Sequence, residues 1–214
     1  MLKYKHGSKA VGERWDIMLN YENVKEFVKN HNGMITAKEF KDNDIGFFFI
    51  NKLINDNIIE RVDNGIYNKK EDFEDEYFIL QKKYSNSIFS YNIALYFLGK
   101  TEVIPNRIDI TVPSGYNAHR ISQEIVIHYV PKEYLQLGAV EALTPFGNKI
   151  ICYNLERTIC DLVKNDNSGL DTEQINKIIR NAFLGKQIDL SILMDYAIKL
   201  KCDKKIKTLT EVLH

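Results

Sequence analysis

"TAKEFKDNDIGFFFINKLINDNIIERVDNGIYNKK" (residues 36–70) decides how the first part of this 214-residue chain folds. Thr36 can cap a helix with its hydroxyl, and Glu39, three residues on, can reach back to the capping amide, so a short helix is predicted over residues 37–42. "DND" then makes a tight connection, with Asp44 as the N-cap of another helix ending at Asn55. Strand-like residues follow on either side of Asp63, Asn64 and Gly65, which is the turn chemistry of a short hairpin.

Upstream, Ile17, Tyr21, Val24 and Val28 recur at helical spacing, Trp15 and Phe27 broaden the apolar side, and "NHNG" supplies a stop; a helix over residues 13–30 is expected. The order helix, helix, helix, hairpin is that of a winged helix-turn-helix.

Three adjacent phenylalanines cannot share one buried stripe, because each helical residue turns by about 100°. In the third helix Ile50, Leu53 and Ile54 form the inward stripe, Phe47 and Phe49 fall on its margins, and Gly46 lies beneath it as a small residue permitting close packing. Phe48 is left pointing outward with Asn51, Lys52 and Asn55. For a single phenylalanine core burial is the commoner outcome, and the amides on their own read as a solvated helix face. With the capping box and the hairpin, the combination points to DNA.

Asn pairs bidentately with adenine, Lys donates to guanine, and an apolar side chain contacts the thymine methyl. The candidate base-reading residues are therefore Phe47, Phe48, Asn51, Lys52 and Asn55. Lys38, Lys41, Arg61, Lys69 and Lys70 are placed to hold the backbone, with Asn64 at the hairpin turn lying along the phosphates or the minor groove. Some modules of this kind bind protein instead.

Composition is that of an ordinary globular chain, 44% hydrophobic and 27% charged, with 29 basic and 29 acidic residues. Such a balance does not advertise nucleic-acid binding. Residues 1–70 hold 12 Lys+Arg and 10 Asp+Glu, whereas residues 71–85 hold 2 and 5, so an acidic connector follows a weakly basic module. Lysine clusters at Lys3, Lys5 and Lys9 and in "KLKCDKKIK" (residues 199–207) read as solvated charge or as further phosphate contacts. No apolar run or leader pattern is seen, and Cys152, Cys160 and Cys202 are too few and unpaired in spacing for a disulfide framework; a cytoplasmic protein with free, buried thiols is expected.

In the second half "SIFSYNIALYFLGK" reads as a capped helix ending at Gly99, "RIDITVP" and "EIVIHYVP" as strands, "TPFGNKIICYN" as a hairpin, and the remainder as helices. The fold class is α+β, with domains at 1–85 and 86–214, the latter a small mixed sheet with packed helices. No zinc, phosphate-loop or nucleophile-turn motif is present, so no catalytic residue, metal or cofactor is assigned and the chain is expected not to be an enzyme. "GSKAVGERWDIM" has a nucleotidyltransferase-like Gly-Ser but lacks a second acid after Asp16. In "YNLERTICDLV", Asn154 can cap a helix and Arg157 and Asp161 can pair, most simply at a surface or helix end.

The run "GMITAKEF…INKLINDNIIERVDNGIY" resembles the N-terminal winged helix of the AbiEi antitoxins, and "ITVPSGY", "TPFGNKIICYNLERTICDLV" and the helical tail resemble their C-terminal domain. This resemblance implies an antitoxin of a type IV abortive-infection toxin-antitoxin system that protects bacteria from phage. Members bind inverted repeats in their own promoter and repress the operon; their C-terminal domain counteracts a nucleotidyltransferase toxin without a stable complex. The implied solution state is a monomer that can bind DNA cooperatively. Of the positions matching the family's basic recognition helix, Phe47, Phe48, Phe49, Asn51 and Lys52, only Lys52 is basic here. Two readings compete: a transcription factor whose second domain senses a ligand or dimerises, and an enzyme with a polar site near Glu156, Arg157 and Asp161.

Overall fold

The computed structural model describes residues 20–101, 104–119, 121, 124–164 and 172–213. Lys3, Lys5, Lys9, Trp15, Ile17 and the stretch 7–18 lie outside the described residues. The chain divides into two compact units, Met1–Asp72 and Phe73–His214.

The first unit contains α1 (Tyr21–Asn30), β1 (Ile35–Thr36), α2 (Ala37–Asp42), α3 (Phe47–Asn55), β2 (Ile59–Asp63) and β3 (Ile66–Lys69). Its antiparallel sheet has the order β1-β3-β2. α1 begins at Tyr21, because Asn20 is extended and its side chain accepts the Asn23 amide at 2.9 Å; the earlier part of the helix expected over residues 13–30 lies outside the described residues. The capping box of α2 is complete: Thr36 Oγ1 accepts from the Glu39 amide at 3.2 Å, and Glu39 Oε2 accepts from the Thr36 amide at 2.7 Å.

Asp44 does not cap α3. It adopts φ 59° just past the end of α2, where its amide reaches the Lys41 carbonyl at 3.0 Å and the Ile45 amide reaches that of Phe40 at 2.8 Å. This left-handed stop returns Ile45 to the core beside Phe40, both buried. Gly46 then serves as the N-cap of α3 without a side-chain bond. It is exposed, with open space where a Cβ would stand, so the expected close helix packing beneath α3 is absent there.

Asn57, at φ 56°, repeats the device after α3, and the Ile58 amide bonds to the Leu53 carbonyl at 2.9 Å. Val24, Val28, Phe40, Ile50, Leu53 and Ile59 close the core. Fully burying each such side chain contributes about 1.5–3 kcal/mol. The hairpin turns at Asn64 and Gly65, where Gly65 takes φ 70°, and the β2–β3 register slips between Arg61 and Asp63.

The second unit begins earlier than residue 86. Helix α4 (Glu76–Lys83) belongs to it, because the Asp75 carboxylate caps α4 through the Tyr77 and Phe78 amides and also accepts from Thr144 Oγ1 at 2.5 Å and Asn148 Nδ2 at 2.6 Å. Gln81 adds a reciprocal pair with the Ile151 backbone at 2.7 and 2.8 Å. The acidic stretch is thus a structural helix start.

There follow β4 (Ile88–Phe89), α5 (Tyr91–Phe97), β5 (Ile108–Pro113), β6 (Ile125–Val130), β7 (Ala139–Leu143), β8 (Lys149–Tyr153), α6 (Leu155–Lys164), α7 (Thr172–Leu184), α8 (Leu190–Lys199) and α9 (Asp203–Leu213). The five-stranded sheet has the order β6-β5-β4-β8-β7 and is mixed: β4–β8 and β5–β6 run parallel, β4–β5 and β7–β8 antiparallel. Leu95, Leu155, Ile159, Leu162, Leu193 and Ala197 anchor the helical core. The architecture is α+β. Among the described residues no helix is long and apolar enough to cross a membrane.

Candidate nucleic-acid interface

α3 exposes one edge. Ile50 and Leu53 are buried, whereas Phe47 and Phe48 are 70% and 74% exposed, and Asn51, Lys52 and Asn55 are exposed with them. Phe48 faces solvent as its spacing predicts. Phe47 does so too, departing from the margin expected of it. Phe49 alone of the three packs inward, stacked on Tyr21 with centroids 6.4 Å apart and edge-on to Phe48 at 5.5 Å.

Tyr21 organises this edge. Its hydroxyl donates to Asp56 Oδ2 at 2.5 Å, and Lys52 Nζ lies 4.0 Å above its ring. Burial, the Asp56 hydrogen bond and that carboxylate's charge push the phenol up to about 12, so it stays a donor throughout the physiological range. Lys52, the only cation of α3, is thereby drawn onto α1.

The flanking residues fall into two groups. Lys38 and Lys41 are exposed on α2. Arg61 is exposed but preorganised at the hairpin, with Nε donating to the Asp63 carbonyl at 3.2 Å and Nη2 to Asn64 Oδ1 at 2.6 Å. Lys41, Arg61 and Asn64 line a groove of about 560 Å³ beside Phe47 and Gly46, and Asp44 sits in the same groove, offsetting one of the two positive charges. Lys69 is committed elsewhere: its Nζ donates to the His31 carbonyl at 3.0 Å and pairs with Asp72 at 3.2 Å. Lys70 pairs with Glu60 across the hairpin.

Elsewhere in the unit, His31 Nε2 lies 3.6 Å from Glu39 Oε1. Burial opposes the charged Glu39, but the imidazole and the Thr36 donors outweigh it and hold the carboxyl down at about 2. The same carboxylate raises the His31 imidazole above its ordinary 6.5, against burial.

The second unit holds polar groups of another kind. Arg157 and Asp161 pair through Nε at 3.0 and 3.1 Å, but not at a surface: Arg157 is 0% exposed, its Nη1 donates to the Tyr134 and Leu137 carbonyls, and its guanidinium lies 4.2 Å from the Tyr153 ring centre. Burial pushes the Asp161 carboxyl up, and Arg157 opposes that shift. Glu156 accepts the Asp189 amide at 3.0 Å. Asp109, also sealed, takes a two-pronged bond from Arg107 (2.9 and 3.1 Å) and lies 2.8 Å from His128 Nε2, whose ring stacks on Tyr91. These charges tie strands and loops together. All three cysteines are free and buried.

Comparison with known proteins adds little to this geometry. No protein-family model and no curated protein matches the chain. A solved structure, that of the RV2827C protein from Mycobacterium tuberculosis, covers 86% of this chain and 75% of its own, with a TM-score of 0.40 and 13% identity.

Sequence reasoning missed Tyr21 as the anchor of the exposed edge, and it missed Asp75, Asp109 and His128. The signal for the last two was present: Asp109 and His128 interrupt otherwise apolar strands, the usual mark of a polar group facing a core.

Proposed function

We propose that the first unit is a winged helix-turn-helix that binds duplex DNA, with α3 in the major groove and the β2–β3 hairpin as the wing. One observation carries the reading: an aromatic and amide ridge on α3 that the unit's own core does not use, flanked by exposed Lys38, Lys41 and Arg61. Exposed large apolar groups of this kind mark interaction sites, and the flanking cations suit phosphates on either side of a groove. Lys69, being internally engaged, contributes less than those three.

On the resemblance to AbiEi antitoxins, we extend the proposal to the whole chain. It acts in the cytoplasm as the antitoxin of a type IV abortive-infection system, binds inverted repeats in its own promoter as a repressor, and counteracts a nucleotidyltransferase toxin through the second unit without catalysis. A footprint on the region upstream of the chain's own gene tests the DNA half; protection of paired repeats is expected, and a featureless pattern refutes it. Asn51→Ala should weaken operator binding by about 1–3 kcal/mol for the lost base contact while sparing toxin neutralisation.

A groove of about 880 Å³ around Phe183, Leu184, Ile188 and Leu190 favours a second reading, a transcription factor that senses a small ligand. Rescue of toxin-expressing cells separates the two, because a ligand sensor without antitoxin activity gives none.

A further inference from the structure

We infer that the ridge of α3 selects A·T base pairs, an inference that rests on the DNA-binding reading above. Phe48, Asn51 and Asn55 stand at intervals of three and four along one helix edge, and Phe47 lies four residues before Asn51. This places two apolar rings in the first turn and two amides in the next two turns of the same exposed line.

In the major groove each of these side chains has one preferred partner. An apolar ring packs on the C5 methyl of thymine, and a carboxamide forms two bonds with adenine N6 and N7. Guanine is read by Arg or Lys through O6 and N7. α3 contains no arginine, and its single lysine is held over the Tyr21 ring, where the Asp56 carboxylate on the same phenol adds to the attraction. Reading guanine with Lys52 means giving up that contact. The exposed Lys38 and Lys41 on α2 and Arg61, bonded to Asp63 and Asn64 at the hairpin, lie outside the base-reading line.

Phe47 and Phe48 are therefore specificity-determining residues through the thymine methyl. Their exposure means that truncation leaves the hydrophobic core of the unit intact.

The test uses the full chain and a randomised duplex library. Selection should enrich sites with an A·T core, bound about tenfold or more tighter than a G·C core of equal length. Replacing thymine by deoxyuridine at the enriched positions removes only the methyl. This should weaken wild-type binding severalfold and leave Phe47→Ala/Phe48→Ala binding unchanged. A G·C-rich consensus, or equal wild-type affinity for thymine and uracil duplexes, overturns the inference while leaving DNA binding in place. Absence of any salt-dependent duplex binding overturns the DNA-binding reading itself, and the inference with it.

Discussion

The two units differ most in the charges they bury. The first packs a small aliphatic and aromatic core and leaves the Phe47 and Phe48 rings in solvent; the second also exposes large apolar side chains such as Phe73, Leu184 and Ile198, but it seals Asp75, Asp109, Arg157 and Asp161 inside. An exposed ring contributes little to folding, whereas a buried charge is costly unless each of its bonds is made. Substitutions in the second unit should therefore act on stability, and those on the α3 ridge on binding.

The largest effect should come from Arg157→Ala, which strands the Asp161 carboxylate in the core. A loss of about 3–5 kcal/mol is expected in urea unfolding of the full chain. If the variant instead remains as stable as the wild type but fails in toxin rescue, Arg157 has a direct role and the contrast breaks at its strongest point.

Next comes Asp75→Ala, which removes the α4 cap and the carboxylate that accepts from Thr144 Oγ1 and Asn148 Nδ2; it should cost about 2 kcal/mol. A neutral result would show that the acidic stretch is a solvated connector after all.

Phe47→Ala and Phe48→Ala sharpen the other side. Each should change stability by no more than about 0.5 kcal/mol, since neither ring fills the core, while reducing affinity for an operator duplex. A large fall in melting temperature for either would return that ring to a structural role.

The smallest effect is the pH response of the first unit. The folded Glu39 carboxyl, at about 2, lies below its ordinary 4.5, so its contribution is present above 4.5 and lost as pH falls toward 2. His31 is raised above 6.5; its contribution is present below 6.5 and lost as pH rises through the folded value. Stability from this pair should peak between those limits, and Glu39→Gln should flatten the profile in thermal melts. An unaltered profile in that variant would remove the pair from the account. Partial exposure keeps the amplitude small.

Local signals were legible wherever a residue's own chemistry specified its backbone. Thr36 and Glu39 define the start of α2, Asn64 with Gly65 the hairpin, and Gly99 the end of α5, because each acts on neighbours within a few bonds. Asp44 was misplaced since an aspartate suits both an N-cap and a left-handed turn; the need to return Ile45 to the core selects the turn.

The exposed edge of α3 was legible in part. The helical spacing of Ile50 and Leu53 determines that Phe48 faces outward, whereas the position of Lys52 depends on a ring on another helix.

By itself, then, the sequence determined the start of α2, the hairpin turn, the end of α5 and the outward direction of Phe48, all consequences of short-range geometry. Only the tertiary structure decided where the second unit begins and which charges are sealed. Asp75 meets Thr144 and Asn148 across 69 and 73 residues, and Asp109 meets His128 across 19. Whether a carboxylate is solvated or buried depends on partners that spacing along the chain does not specify.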